Sequence, residues 1–298
     1  MGPCLTRRRN CLGAMLAAGL IAVLTPAISS SGVAREPAPA PKPGWPQRLT
    51  LAVLPSQVPP HNYDIWVPLA EHLAGKIGIP VKLTTSNAYE KYLGEVLTNT
   101  PELAFVNGLQ YLTAHRDGGY EAFVAPAQRM TGRIIVRIDS PIKTIGDLRG
   151  KTIAFLPPSA MPGHLQPKAF LLDHGLAAGQ DYRIVEVENH NLSINAVVAG
   201  RVDAGATGVT PFETMPNETK AKLRILAETP PQSPPVIAVR RDLVPTLKEA
   251  IAEALLALDA GTKGRAVLAP LGWKKMIRVT DADYDITREF ARKLGLRY

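Results

Sequence analysis

The sequence predicts an α/β fold of two doubly wound lobes with a cleft between them. Three observations lead there. Short apolar runs closed by Pro, Gly or small polar clusters alternate with stretches whose apolar residues recur at helical spacing. That alternation runs through the chain twice, with no exact sequence repeat. The length of 298 residues, with 46% hydrophobic and 20% charged, suits one large domain or two lobes and excludes a disordered chain.

The elements follow in order. Leu49–Leu54 is an apolar run ended by Pro55, and reads as a strand. A helix is expected from about Asp64, with Trp66, Leu69, Leu73 and Ile77 on one face and Gly78 and Pro80 as its stop. Val81–Thr85 alternates as a strand, and Asn87–Glu90 opens a helix that carries Tyr92, Leu93, Val96 and Leu97. Leu103–Val106 is a short buried strand. The second round starts with a strand from Arg133 to Ile138 and a helical turn at Ile145–Leu148. Thr152–Leu156 is a buried strand running into Pro157, and a helix follows to about His174. Tyr182–Glu188 is a strand, Leu192–Ala199 a helix, and Val202–Ala206 a strand. Behind a proline-rich stretch, Val236–Arg240 is another strand. The tail is helical, with an apolar stripe of Leu247, Ile251, Ala254, Leu255 and Leu258 and a last helix from Asp281 toward Leu294. In such sheets the loops at the carboxyl ends of strands face the cleft. The loops after Leu54, Thr85, Val106, Leu156, Glu188 and Ala206 are therefore the expected ligand contacts.

The N-terminus reads as an export signal. Arg7, Arg8 and Arg9 precede an apolar run from Cys11 to Leu24, and small residues follow up to Ala34. The run is shorter than the roughly 20 residues of a membrane-spanning helix. Cleavage is expected after Ala34, with Ala27 as the alternative; the arginines loosely resemble a twin-arginine signal. Residues 35–46, REPAPAPKPGWP, read as a stiff, core-free tether. Removal of residues 1–34 lowers the formal charge from +8 to +5 and takes both cysteines with it. The remaining chain needs no disulfide, and its mild charge, with no basic run among aromatics, argues against nucleic acid.

The motifs exclude several chemistries. Gly146–Thr152 resembles a phosphate-binding loop, but three residues separate its glycines and it leads into a strand, so it reads as a turn. The six histidines form no metal pair, and no metal or cofactor is expected. There is no G-x-S-x-G, and Ser159, His190 and Asp203 make a triad only on paper. Pro157–His164 follows a buried strand and opens a helix. Backbone N–H groups and the helix dipole there suit an anion, and Ser159 either adds a hydroxyl or caps the helix.

Several stretches together resemble a known family. Asp139–Ile142 with Asp147–Phe155 is similar to the second lobe of type II periplasmic solute-binding proteins. Tyr89 and Leu103–Tyr111 resemble the first lobe of the phosphonate/phosphite-type binding proteins of ABC transporters. His190 with Gly200–Ala206 is similar to their second lobe, and Asp283–Asp285 and Leu294–Leu296 to their C-terminal end. The resemblance implies a clam-shell with residues 47–135 and 237–298 in lobe 1 and 136–236 in lobe 2. It implies a non-catalytic, monomeric periplasmic receptor that hands a small oxyanion or carboxylate to an ABC permease, or else signals to a membrane sensor. The implied ligand-binding residues are Tyr89, Asn107, Met130, Ser159, Ala160, Met161, His190 and Thr210. Ala160 and Met161 stand where the family has hydroxyls, Met130 where an aromatic is usual, and Thr210 and the Pro234 region where an acid receives an amine. The resemblance therefore points away from aminoalkylphosphonates. Arg133 is the expected extra cation near the hinge, or else a solvated strand-edge residue.

Overall fold

Two mixed sheets organise the chain. The first holds β1 (Leu49–Ala52), β2 (Val81–Thr84), β3 (Leu103–Val106) and β4 (Tyr120–Pro126). The second holds β5 (Gly132–Arg137), β6 (Thr152–Phe155), β7 (Arg183–Glu186), β8 (Ala204–Gly208) and β9 (Leu223–Glu228). The chain then returns to the first sheet with β10 (Val236–Arg240) and β11 (Met276–Arg278). The orders are β11-β4-β10-β3-β1-β2 and β7-β6-β8-β5-β9. In each sheet three strands run parallel and the strands around the crossings run antiparallel. The structure is a computed structural model and describes residues 43–298, all within one compact unit. The expected export signal at 1–34 and most of the tether lie outside the described residues.

The chain crosses between the sheets twice, at residues 127–131 and 229–235. The crossings pair with each other. Met130 and Gln232 exchange backbone hydrogen bonds of 3.2 and 2.8 Å. Gln166, 2% exposed, donates from its amide to the Met130 and Pro230 carbonyls at 3.1 and 3.2 Å and clamps both strands. Four prolines stiffen the second crossing, because each ring fixes φ. The second sheet takes β5 whole, so the first crossing lies ahead of the expected 135/136 boundary, which falls inside β5.

The lobes pack on each other. Leu156 and Ala160, from the loop after β6, are fully buried in the same apolar cluster as the core of the first sheet. An ion pair of 2.9 Å joins Asp173 to Lys293 across the lobes. The core-facing stripe of helix Pro245–Leu256 is buried as its spacing requires. Trp45 corrects the expected tether: it is 9% exposed, joins this core, and its indole N–H donates to Thr246 at 3.0 Å.

Other differences are local. The first expected helix is two, Pro59–Asp64 and Val67–Ile77, the second closed by left-handed Gly78 (φ 71°). The sequence reading left out helix Gly108–Asp117 and strands β4, β9 and β11. The phosphate-loop look-alike is indeed a turn, Ile145–Leu148, entering β6.

One glycine sets the depth of a functional helix. Gly205 in β8 lies under helix His190–Val198, and a Cβ there would meet Val197 and Ser193 at 2.8 and 2.9 Å. Gly205→Ala is expected to lower stability by about 1–3 kcal/mol, as overpacking does. Gly146→Ala, whose Cβ would meet only Thr144 at 3.7 Å, is the matched control. Urea unfolding of both variants checks the difference.

Candidate functional site

A hollow with an aromatic wall lies between the lobes at the carboxyl ends of the parallel strands, beside the crossings. It encloses about 130 Å³. All six loops expected at the cleft contribute: Leu54 and Gln57 after β1, Tyr89 after β2, Asn107 after β3, Pro162 after β6, His190 after β7, and Gly208–Pro211 after β8.

Its wall on the first lobe is aromatic. Trp66 packs on Phe105 with ring centroids 4.6 Å apart, and both meet Trp273 at 5.4 Å. Leu54, Ile65 and Leu271 extend this wall, and Pro126, Pro162, Pro211 and Pro235 close the sides. No Asp or Glu lines the cavity; its one charged lining residue is Arg129, on the first crossing. Arg129 is exposed and has no ion pair among the described residues.

Asn107 positions the donors on the first lobe. As N-cap of helix Gly108–Asp117 it accepts from the Gln110 N–H at 2.9 Å, while Gln110 accepts from the Asn107 N–H at 3.1 Å. This capping box fixes the amide orientation. The Asn107 NH₂ then donates to the Tyr89 oxygen at 3.3 Å and to the Ser159 carbonyl of the other lobe at 3.2 Å. The Tyr89 hydroxyl proton stays available toward the cavity. Burial pushes the Tyr89 pKa upward, so the group stays neutral.

His190 supplies the second lobe's donor. Its Nδ1 lies 3.3 Å from the Gly208 N–H, which can only donate, and 3.1 Å from the Thr207 hydroxyl. Nδ1 is therefore an acceptor and the proton sits on Nε2. Burial pushes the imidazole down to about 3, so the ring is neutral at neutral pH.

The residues named from the sequence divide into two groups. Tyr89, Asn107, Met130, His190 and Thr210 line the cavity; Ser159, Ala160 and Met161 do not. The loop that carries those three has other partners. The Ser159 hydroxyl donates to Glu90 of the first lobe at 3.2 Å, so it neither caps the helix nor faces the cavity. The Ala160 N–H donates to the Pro157 carbonyl at 2.9 Å. Pro162 has no N–H, and a π-turn, Met161–Leu165, replaces the expected helix start. Of the groups expected to meet an anion there, the Ser159 hydroxyl and the Ala160 N–H already have partners within the protein. Arg133 is neither a ligand cation nor a solvated residue. It is 8% exposed, paired with Glu213 at 2.5 Å and Glu228 at 2.7 Å, and lies over the Phe212 ring at 5.3 Å. The paper triad is dispersed, since Asp203 receives the Thr152 N–H. The sequence reading missed Arg129, Phe105 and Trp273 as site residues. Their sequence context did not single them out: Phe105 lies in a buried strand, and Arg129 and Trp273 lie between elements.

The comparisons agree with this fold. Residues 51–284 match the family model described as the periplasmic substrate-binding protein of ABC phosphonate transporters. The phosphate-import protein PhnD of Mycolicibacterium smegmatis is 25% identical over 315 aligned positions, covering 94% of this chain and 95% of that one. Two solved structures share the fold. One is a binding-protein component of an ABC phosphonate transporter from Pseudomonas aeruginosa, with 17% identity and a TM-score of 0.74, covering 82% of this chain and 85% of the other. The second is PhnD1 of Prochlorococcus marinus in complex with methylphosphonate, with 18% identity and a TM-score of 0.75, covering 84% and 98%.

The His190 geometry yields a pH signature. A histidine lowered from 6.5 to about 3 on folding binds its proton more weakly in the native state. Its contribution to stability is complete above the unfolded pKa and is lost as pH falls from 6.5 toward 3. The His190 ring signals in NMR are expected to stay unshifted from pH 8 to 5. A titration midpoint near 6.5 would contradict the buried neutral ring.

Proposed function

The chain belongs to the family of periplasmic substrate-binding proteins of ABC phosphonate transporters, and on that premise we propose that it captures a small monoanion between its lobes. In this reading residues 1–34 direct export, the protein works in the periplasm, and an ABC permease receives the solute. The family is a transport component and not an enzyme. One observation carries the choice of solute: the inter-lobe cavity offers neutral donors, a single cation and no carboxylate, against an aromatic wall.

The donor set decides the charge. Tyr89 and His190 each supply one hydrogen from opposite lobes, and Arg129 supplies the countercharge from the crossing. Ser56, Gln57, Gln128, Thr131 and Thr210 add uncharged polar groups but no second cation, so a buried dianion would keep one charge uncompensated, at a cost of several kcal/mol. A monoanion is balanced by Arg129 alone, and its apolar part packs on Trp66, Phe105 and Trp273. The Mycolicibacterium relative is named for phosphate and the Prochlorococcus protein holds methylphosphonate. Here the cavity favours the methyl-bearing kind, as a phosphonate monoanion or a short carboxylate.

Thermal unfolding with methylphosphonate, phosphate, phosphite, methanesulfonate and propionate tests this. At least one monoanion is expected to stabilise the protein, by about 2.7 kcal/mol at a hundred times its Kd. Tyr89→Phe and Arg129→Gln are each expected to weaken calorimetric binding about tenfold, one lost charge-assisted or hydroxyl contact being worth about 1.4 kcal/mol. Absence of stabilisation by all five anions would overturn the proposal.

A further inference from the structure

A second cavity adjoins the first on the far side of Tyr89. It encloses about 240 Å³, and Tyr89 and Gln57 line both. Its character is opposite. Glu90, Glu186 and Glu188 line it, and no Lys, Arg or His does. Among the described residues none of the three carboxylates is paired with a cation.

An independent observation marks it as a binding site. Asn62 also lines this cavity and is 1% exposed, yet neither its amide oxygen nor its amide nitrogen has a hydrogen-bond partner. Buried side-chain amides are nearly always satisfied, and an exception calls for a group that completes it. The amide oxygen is an acceptor, and the field of three carboxylates favours a positive charge beside it. Among the described residues no cluster of three or more His, Cys, Asp or Glu can hold a metal ion. A chelated metal ion is therefore disfavoured, and a singly charged cation that donates an N–H to Asn62 and lies in the field of the carboxylates fits instead.

We propose that the cavity lined by Asn62, Glu90, Glu186 and Glu188 is a binding site for an organic ammonium group. The ammonium donates to the Asn62 amide oxygen and to the flanking carboxylates. The site does not depend on what occupies the aromatic cavity. Together the two hollows separate charge, with Arg129 serving one and the glutamates the other.

Calorimetric titration of the protein with propylammonium and, separately, with propionate tests the assignment. Propylammonium is expected to bind the wild type. In a double variant, Glu186→Gln with Glu188→Gln, its affinity is expected to fall at least tenfold, while propionate binding stays within twofold. Both glutamates are exposed, so the variant is expected to fold, and an unchanged unfolding midpoint checks this. Failure of propylammonium to bind the wild type, or equal binding to both proteins, would overturn the site. Failure of propionate alone would leave the ammonium site standing and count against the carboxylate arm of the anion reading.

Discussion

The Asn107 side chain is the contact on which the site's geometry depends. One small amide caps a helix, orients a tyrosine and reaches the opposite lobe. Its burial at 1% exposure makes those bonds obligatory, since an unmet amide there would cost about 1–3 kcal/mol. The cap comes first in the chain of causes. Because the Gln110 N–H claims the amide oxygen, the NH₂ must face outward from the helix, toward Tyr89 and Ser159. The Tyr89 oxygen is then an acceptor, which frees its proton for the cavity. The same NH₂ holds the Ser159 carbonyl, so the hydroxyl of that residue turns toward Glu90.

That last step engages the loop that the sequence marks for an anion in contacts within the protein. A loop built for an anion needs free hydroxyls and free N–H groups. Here one hydroxyl is engaged by a carboxylate, two positions hold Ala160 and Met161, and Pro162 has no hydrogen to give. Leu156 and Ala160 instead serve as packing between the lobes. In the proposed function the solute lies in the neighbouring hollow, whose aromatic wall faces uncharged polar side chains and one cation. In such a low-dielectric place each donor acts more strongly, but a second negative charge would find no second cation.

Most of the fold was legible because the inner strands are short apolar runs with clear stops. β1, β3, β6 and β10 follow directly from such runs. Of the strands left out, β4 and β9 carry Glu121, Arg224 and Glu228, which interrupt the apolar signal because one side of each meets solvent or an ion pair, and β11 is only three residues long. The carboxyl-end rule located all six loops of the cavity, since it follows from topology alone. Side-chain partners were not legible. Arg133 and Arg129 look alike in the chain, four residues apart. Only the pairing of β5 with β9 brings Glu228 to the first and leaves the second free. Likewise Trp66 and Phe105 read as core, and only their meeting with Trp273 makes a wall.

The position of Arg129 bears on how a solute could close the lobes. A ligand shifts an opening equilibrium only through contacts that differ between the two states. Arg129 sits beside Met130, whose backbone is tied to Gln232 on the other crossing and to Gln166 below. If the lobes of the proposed receptor open about these crossings, a contact with Arg129 persists in both states and contributes to capture without favouring closure. Tyr89 and His190 lie on opposite lobes. A solute that accepts from both gains that pair of bonds only when the lobes meet. In the proposed function, charge recognition and closure are thus divided between different residues, the cation on the crossing and the neutral donors on the two lobes. It follows that an anion too short to touch Tyr89 and His190 together would bind through Arg129 yet leave the lobes free to open.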